Sequence, residues 1–201
     1  MFLTALMLML NAILLAWLSW RAQHFKNLAF YDPLTGLANR RLFEDRLEQA
    51  LKHARRHRTG VAVLFLDLDH FKRVNDVHGH PTGDRLLRAV AQRLCECVRE
   101  TDTVARRGGD EFTVLLTDLT DPDAAGRIAQ RIVATLQKPF SISVQPIRIG
   151  ASVGIRLCDP DEPAGPQPIA DADRALYEAK RQGRGRYHVF APFGGSALAA
   201  A

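Results

Sequence analysis

Apolar and polar residues alternate in several distinct rhythms along the chain. Residues 1–20 carry no charge, and only Thr4, Asn11 and Ser19 interrupt the apolar run. As a helix this stretch is about 30 Å long, the thickness of bilayer hydrocarbon. Trp17 and Trp20 stand at its end, with Arg21, His24 and Lys26 directly after. An aromatic belt followed by basic residues predicts one transmembrane helix with the rest of the chain on the cytoplasmic side. A secretory signal peptide has a basic start and a small-residue cleavage site, which this stretch does not match. Residues 21–31 read as a short helical connector.

The rhythm changes at Asp32-Pro33-Leu34-Thr35-Gly36-Leu37, which Pro and Gly punctuate as a turn. Asn39 is placed to cap a helix running to about Arg56, with Leu42, Phe43, Leu47 and Leu51 as its apolar stripe. Val61 to Leu66 is continuously apolar, which predicts a strand covered on both faces. Helices are expected at about 70–77 and 82–100, strands at 103–107 and 111–117, and a helix near 122–137. Strands near 140–157, a helix near 170–182 and a strand at 186–190 complete the pattern. Helices alternating with strands and hairpins predict an α+β fold: a mixed, mostly antiparallel sheet flanked by helices, preceded by the transmembrane helix. The domain is expected over 32–191, with an exposed loop at Asp159–Pro168 and a disordered tail over 192–201.

With 201 residues, 47% of them hydrophobic, the chain can bury one substantial core beside its appendage. The formal charge of +5 suits nucleic acid, anionic lipid or a phosphorylated ligand without choosing among them. The densest basic run, His53-Ala54-Arg55-Arg56-His57-Arg58, reads first as a solvated helix end, with attraction to an anionic leaflet as the alternative. Cys95, Cys97 and Cys158 are too few and too badly spaced for a zinc site and read as reduced packing residues.

The chemistry concentrates in two acidic pairs. Asp67 and Asp69 emerge at the end of a strand that otherwise favours burial, which is costly without a cation. Asp110 and Glu111 follow a Gly108-Gly109 turn between apolar strands, with Arg106-Arg107 before it. A hairpin of this kind is a common plain connector. If the strand at 61–66 neighbours the hairpin, however, Asp67 and Asp110 meet at one sheet edge and form an oxygen-ligand site for Mg²⁺. There is no Gly-rich loop ending in Gly-Lys-Ser/Thr, no Gly-x-Gly-x-x-Gly after a strand and no nucleophile elbow, which argues against ATPase, dehydrogenase and serine-hydrolase readings.

Arg106-Arg107-Gly108-Gly109-Asp110-Glu111-Phe112 resembles the signature of the GGDEF family of diguanylate cyclases. Four further segments carry the resemblance across residues 30–190: Asp32 to Arg41, Asp67 to Asp84, Ser152-Val153-Gly154, and Ala172 to Lys180. The resemblance implies a fold like the palm domain of polymerases and nucleotidyl cyclases. The implied reaction joins two GTP molecules into cyclic di-GMP with release of pyrophosphate.

By the same resemblance, Asp67, Asp110 and the Leu68 carbonyl would hold Mg²⁺ (or Mn²⁺), and Glu111 would be a further metal or catalytic carboxylate. Asn75 and Asp84 match guanine readers, His80 a residue near the nucleotide, and Lys72, Lys180 and Arg184 phosphate-binding positions, with Lys72 also counted in the catalytic set. Gly108 and Gly109 let the backbone approach the nucleotide. Gly185 stands where the family usually shows Asn, which bears on the shape of that loop. Arg99 and Asp102 match the family's inhibitory product site, with Arg127 or Arg131 as a further arginine. Without the family, Arg99 and Asp102 are a weak helical surface pair. A two-fold symmetric product made by a chain with one copy of the site implies a homodimer, here anchored in a bacterial inner membrane. The rival expectations are a receptor that binds cyclic di-GMP without catalysis and a cyclase of another nucleotide.

Overall fold

The computed structural model describes residues 29–190, apart from 122, 144 and 162–164, together with Met9, Asn11, Ile13 to Leu15 and Trp17 in helical geometry. Most of the expected membrane helix, nearly all of the connector and the whole tail lie outside the described residues. Among the described residues no helix is long and apolar enough to cross a membrane.

The elements follow one another as α1 (Arg40–His57), β1 (Gly60–Asp69), α2 (Phe71–His78), α3 (His80–Glu96), β2 (Thr103–Gly108), β3 (Glu111–Leu119), α4 (Asp123–Leu136), β4 (Gly150–Cys158), α5 (Gln167–Arg181) and β5 (Tyr187–Val189). Asn39 caps α1 as expected, its Oδ1 accepting from Leu42 N at 3.1 Å. Among the described residues five strands are ordered β2-β3-β1-β4-β5, and of their pairings only β4–β5 is parallel. The fold is therefore α+β with a mixed, mostly antiparallel sheet.

β1 is the central strand, and its alternation sorts the core. Ala62, Leu64, Leu66 and Leu68 join the cluster built with α2, α3 and α4, while Val61, Val63 and Phe65 join the cluster built with α1 and α5. Burial on both faces explains the unbroken apolar run. Asp67 and Asp69 continue the second face past the point where the apolar side chains stop. The basic run ends α1 as an exposed helix terminus, with His53 Nε2 3.3 Å from Asp118 and Arg58 2.8 Å from Asp161.

Three expectations need correction. The helix expected over 82–100 begins at His80 and stops at Glu96, because Cys97 is buried and its N–H turns back to Leu94 O at 3.0 Å. Arg99 and Asp102 therefore lie on a turn and not on a helix. Strand structure near 140–157 reduces to the isolated bridge Phe140↔Ile147 and to β4. The exposed loop expected to reach Pro168 ends sooner, since α5 begins at Gln167 and buries Pro168 in its first turn, where a missing N–H costs little.

Candidate active site

The Gly108-Gly109 hairpin is locked from outside. Both glycines have positive φ, 149° and 52°, so the turn relies on residues without a Cβ. Arg106 bridges it to the opening turn: its Nε and Nη2 donate to Gly109 O at 3.0 and 2.8 Å, and its Nη1 donates to both Asp32 oxygens at 3.1 Å. Asp32 also accepts from Thr35 N and Oγ1 at 2.8 and 2.6 Å. Burial raises the Asp32 pKa, but the bonds from Thr35 and Arg106 outweigh it, and the carboxyl lies below its ordinary value. The motif at Asp32 to Leu37 thus braces the hairpin, a role the sequence did not reveal.

β1 and β3 bring the acids together. Asp67 and Glu111 are direct cross-strand partners, and Leu68 N donates to Asp110 O at 3.4 Å. Burial first and then the charge of Asp67 push the pKa of Asp110 above its ordinary value. Burial, Asp67 and then Asp173 do the same to Glu111. Like charges crowded at a sheet edge are stabilised by a cation. One is in place: Lys180 Nζ lies 2.8 Å from Asp67 Oδ2, on the metal-ligand candidate itself. Among the described residues no group of three or more His, Cys, Asp or Glu side chains is arranged to hold a metal ion. The oxygen-only donors Asp67, Asp110 and Glu111 with the Leu68 carbonyl nevertheless have the chemistry a hard divalent cation takes, and their mutual repulsion is what such an ion would relieve.

Asp69 belongs to the framework. It is buried, its Oδ1 accepts from Ser152 Oγ at 2.7 Å, and its Oδ2 accepts from Gly185 N at 3.0 Å. The carboxylate thereby fixes the loop that carries Arg184, whose own φ is 61°. Gly185, at φ 59°, keeps that loop in a left-handed turn.

The α2–α3 corner carries Asn75, His80 and Asp84, the residues expected to face the base. Among the described residues Asn75 Oδ1 is buried with no hydrogen-bond partner, and a Cβ at Gly83 would overlap it, so Gly83 provides the space this amide occupies. Asp84 lies exposed in the first turns of α3, and His80 and Lys72 are exposed at the starts of α3 and α2. The junction is capped by backbone: Gly79 N donates to Asn75 O at 2.9 Å, and no side-chain cap bond is made at Gly79.

Asp102 is engaged by backbone, accepting from Arg99 N at 2.9 Å and Thr117 N at 3.2 Å. It shapes the turn that presents Arg99 beside a cleft of about 400 Å³ that also involves Tyr31, Arg46 and Cys95. The structure separates the two candidate arginines of α4: Arg131 donates to Cys97 O at 2.6 Å, next to this turn, whereas Arg127 pairs with Asp121 at 2.6 Å.

Residues 29–186 match the family model described as diguanylate cyclase, GGDEF domain. The bifunctional diguanylate cyclase/cyclic di-GMP phosphodiesterase MucR of Pseudomonas aeruginosa is 48% identical over 163 residues, covering 81% of this chain and 24% of that protein. The diguanylate cyclase TpbB of the same species is 42% identical over 182 residues, covering 87% of this chain and 42% of that protein, so the chain spans less than half the length of these relatives. Among solved structures, the coiled coil and GGDEF domain of DgcB from Caulobacter crescentus, in complex with c-di-GMP, superposes with a TM-score of 0.80 at 29% identity. That match covers 89% of this chain and 95% of DgcB's. With the hairpin, the strand-end acids and the α2–α3 corner all within the matched span, the chain belongs to the GGDEF-domain diguanylate cyclase family.

Proposed function

We propose that this chain is a diguanylate cyclase that condenses two GTP molecules into cyclic di-GMP and pyrophosphate. The observation that carries the proposal is the convergence of Asp67, Asp110, Glu111 and Lys180 at neighbouring strand ends, together with a corner where Asn75 Oδ1 is buried without a partner among the described residues. Asp67, Asp110 and the Leu68 carbonyl, with Glu111, are the groups that would hold Mg²⁺ or Mn²⁺. What the ion supplies when bound is neutralisation of the triphosphate and a lower pKa for the attacking 3′-hydroxyl. Lys180, Arg184 and Lys72 hold the phosphates. Asn75 and Asp84 accept and donate at the guanine edge, where a carboxylate taking two N–H groups rejects adenine. Gly108 and Gly109 admit the nucleotide close to the backbone, and His80 lies beside it.

One site per chain and a two-fold symmetric product make the active species a homodimer with two GTP-loaded sites face to face. Arg99 with Asp102, joined by Arg131, forms a product-binding brake. The apolar segment at residues 1–20 anchors the enzyme in the inner membrane with this domain cytoplasmic.

The test is incubation of the 201-residue chain with Mg²⁺ and either GTP or ATP, followed by chromatography of the nucleotides. Cyclic di-GMP from GTP alone is expected. A dimeric preparation that binds GTP and cyclic di-GMP but forms no product refutes the enzyme reading in favour of a receptor.

A further inference from the structure

Arg107 is not explained by any of these roles. The β2–β3 ladder shifts between the pairs Arg106↔Phe112 and Gly108↔Glu111, and Arg107 falls in the shift without a cross-strand partner. Two residues before it, Ala105 packs in the cluster built with α1 and α5, so strand alternation puts Arg107 on that face. Here the guanidinium is directed onto the α1-facing side, 5.4 Å over the Phe65 ring, with only 12% of the side chain exposed. Its Nη1 is buried without a hydrogen bond among the described residues, 3.8 Å from Glu44 Oε1. Glu44 is itself held by Arg40 Nε at 2.8 Å.

The surrounding charges give this placement its meaning. Glu111 stands in the facing strand opposite Gly108, the residue next to Arg107, and is paired across β1 with Asp67; at that range the Arg107 charge opposes the acidic surroundings of Glu111. On the other side of the cluster, Lys180 performs the same service for Asp67. Charge therefore alternates along Lys180, Asp67–Glu111, Arg107, Glu44 and Arg40, from α5 across the strand ends to α1. A buried cation is costly unless opposite charge compensates it, and the acids on both sides of Arg107 supply that compensation.

We propose that Arg107 is a positioning residue of the cyclase reaction: it holds Glu111 by charge and ties the acid cluster to α1 through Glu44. The inference rests on the proposed cyclase activity, and one of its tests does not need that activity. In the 201-residue chain, Arg107→Met leaves the cluster one charge more negative. Mn²⁺ binding followed by electron paramagnetic resonance is then expected to tighten about fivefold. The kcat for cyclic di-GMP is expected to fall about tenfold while the KM for GTP stays within about twofold, because Arg107 touches none of the base or phosphate readers.

Arg107→Lys keeps the charge and is expected to hold Mn²⁺ affinity within about twofold of the parent and to recover most of kcat. Phe65→Leu removes the ring beneath the guanidinium but not the cation, and is expected to lower Tm with kcat nearly unchanged. Unaltered or weaker Mn²⁺ binding in Arg107→Met overturns the proposal. So does a kcat loss in Phe65→Leu and Arg107→Lys as large as in Arg107→Met, since the side chain would then matter only for packing. If the parent chain makes no cyclic di-GMP, the enzyme reading fails, and the Mn²⁺ measurement still decides the electrostatic role.

Discussion

Arg106→Met tests whether the hairpin is held from outside. The substitution keeps an unbranched side chain of similar reach and removes the donors to Gly109 O and to both Asp32 oxygens. The pair is largely covered, with 11% of the Arg106 and 15% of the Asp32 side chain exposed, so its bonds are little screened. Hydrogen bonds to charged groups contribute about 1.5–3 kcal/mol each and are not additive. Asp32 keeps its two bonds from Thr35 and the Gly109 carbonyl turns to solvent, so the expected loss is near the low end, about 2 kcal/mol in total. For a domain of this size that lowers Tm by about 4–8 °C.

The pH dependence has a defined sign. The Asp32 carboxyl is depressed in the fold, so its contribution is present above the ordinary aspartate range and is lost as pH falls through the folded value. The difference between parent and Arg106→Met should therefore be full at pH 7 and shrink below pH about 4. Urea denaturation of the parent, Arg106→Met, Asp32→Asn and the double variant measures both quantities. A coupling energy of about 1 kcal/mol or more is expected between the two sites. Strict additivity, or a pH-independent difference, would refute the clamp.

Other substitutions separate function from stability. Asp110→Asn is expected to abolish turnover with a Tm at least as high as the parent's at pH 7. The carboxyl is raised by burial and by Asp67, so its ionised form opposes folding, and that cost disappears as pH falls through the raised value; a lower Tm at neutral pH would contradict this. Gly83→Ala places a methyl on Asn75 Oδ1, the free end of a side chain that can swing away, so GTP KM should rise about tenfold or more while Tm drops only a few degrees. Arg99→Ala should relieve inhibition by added cyclic di-GMP and leave stability unchanged. Asp102→Ala should relieve it too but also cost about 1–2 kcal/mol, because two backbone N–H groups lose their acceptor; equal stability of the two variants in urea would refute that distinction.

The parts of the molecule legible in the sequence are those set by local pattern. The Asn39 cap, the two-faced burial of Val61 to Leu66 and the Gly-Gly hairpin each follow from a few adjacent residues, and the β1–β3 pairing then puts Asp67 opposite Glu111. What stayed hidden depends on contacts across long separations. Asp69 and Asp67 look equivalent in sequence, yet Asp69 is buried by Ser152, 83 residues away, and by Gly185, 116 residues away. Arg106 finds Asp32 across 74 residues. Asp102 reads as a helical surface residue until the N–H of Thr117 is seen to need it.

Lys180 shows why the distinction matters for chemistry. The family resemblance places it only among phosphate binders, whereas α5 packing on β4 and β1 sets its ammonium on Asp67. The same cation can hold the acid cluster together and later face a triphosphate, because both partners are anionic oxygens that compete for one Nζ. Lys180→Met should therefore destabilise the acid edge and weaken GTP binding together, a coupled loss that a side chain serving phosphate alone would not produce. Equal Tm in parent and Lys180→Met, with only the GTP KM altered, would assign the lysine to phosphate and leave Asp67 without need of a partner.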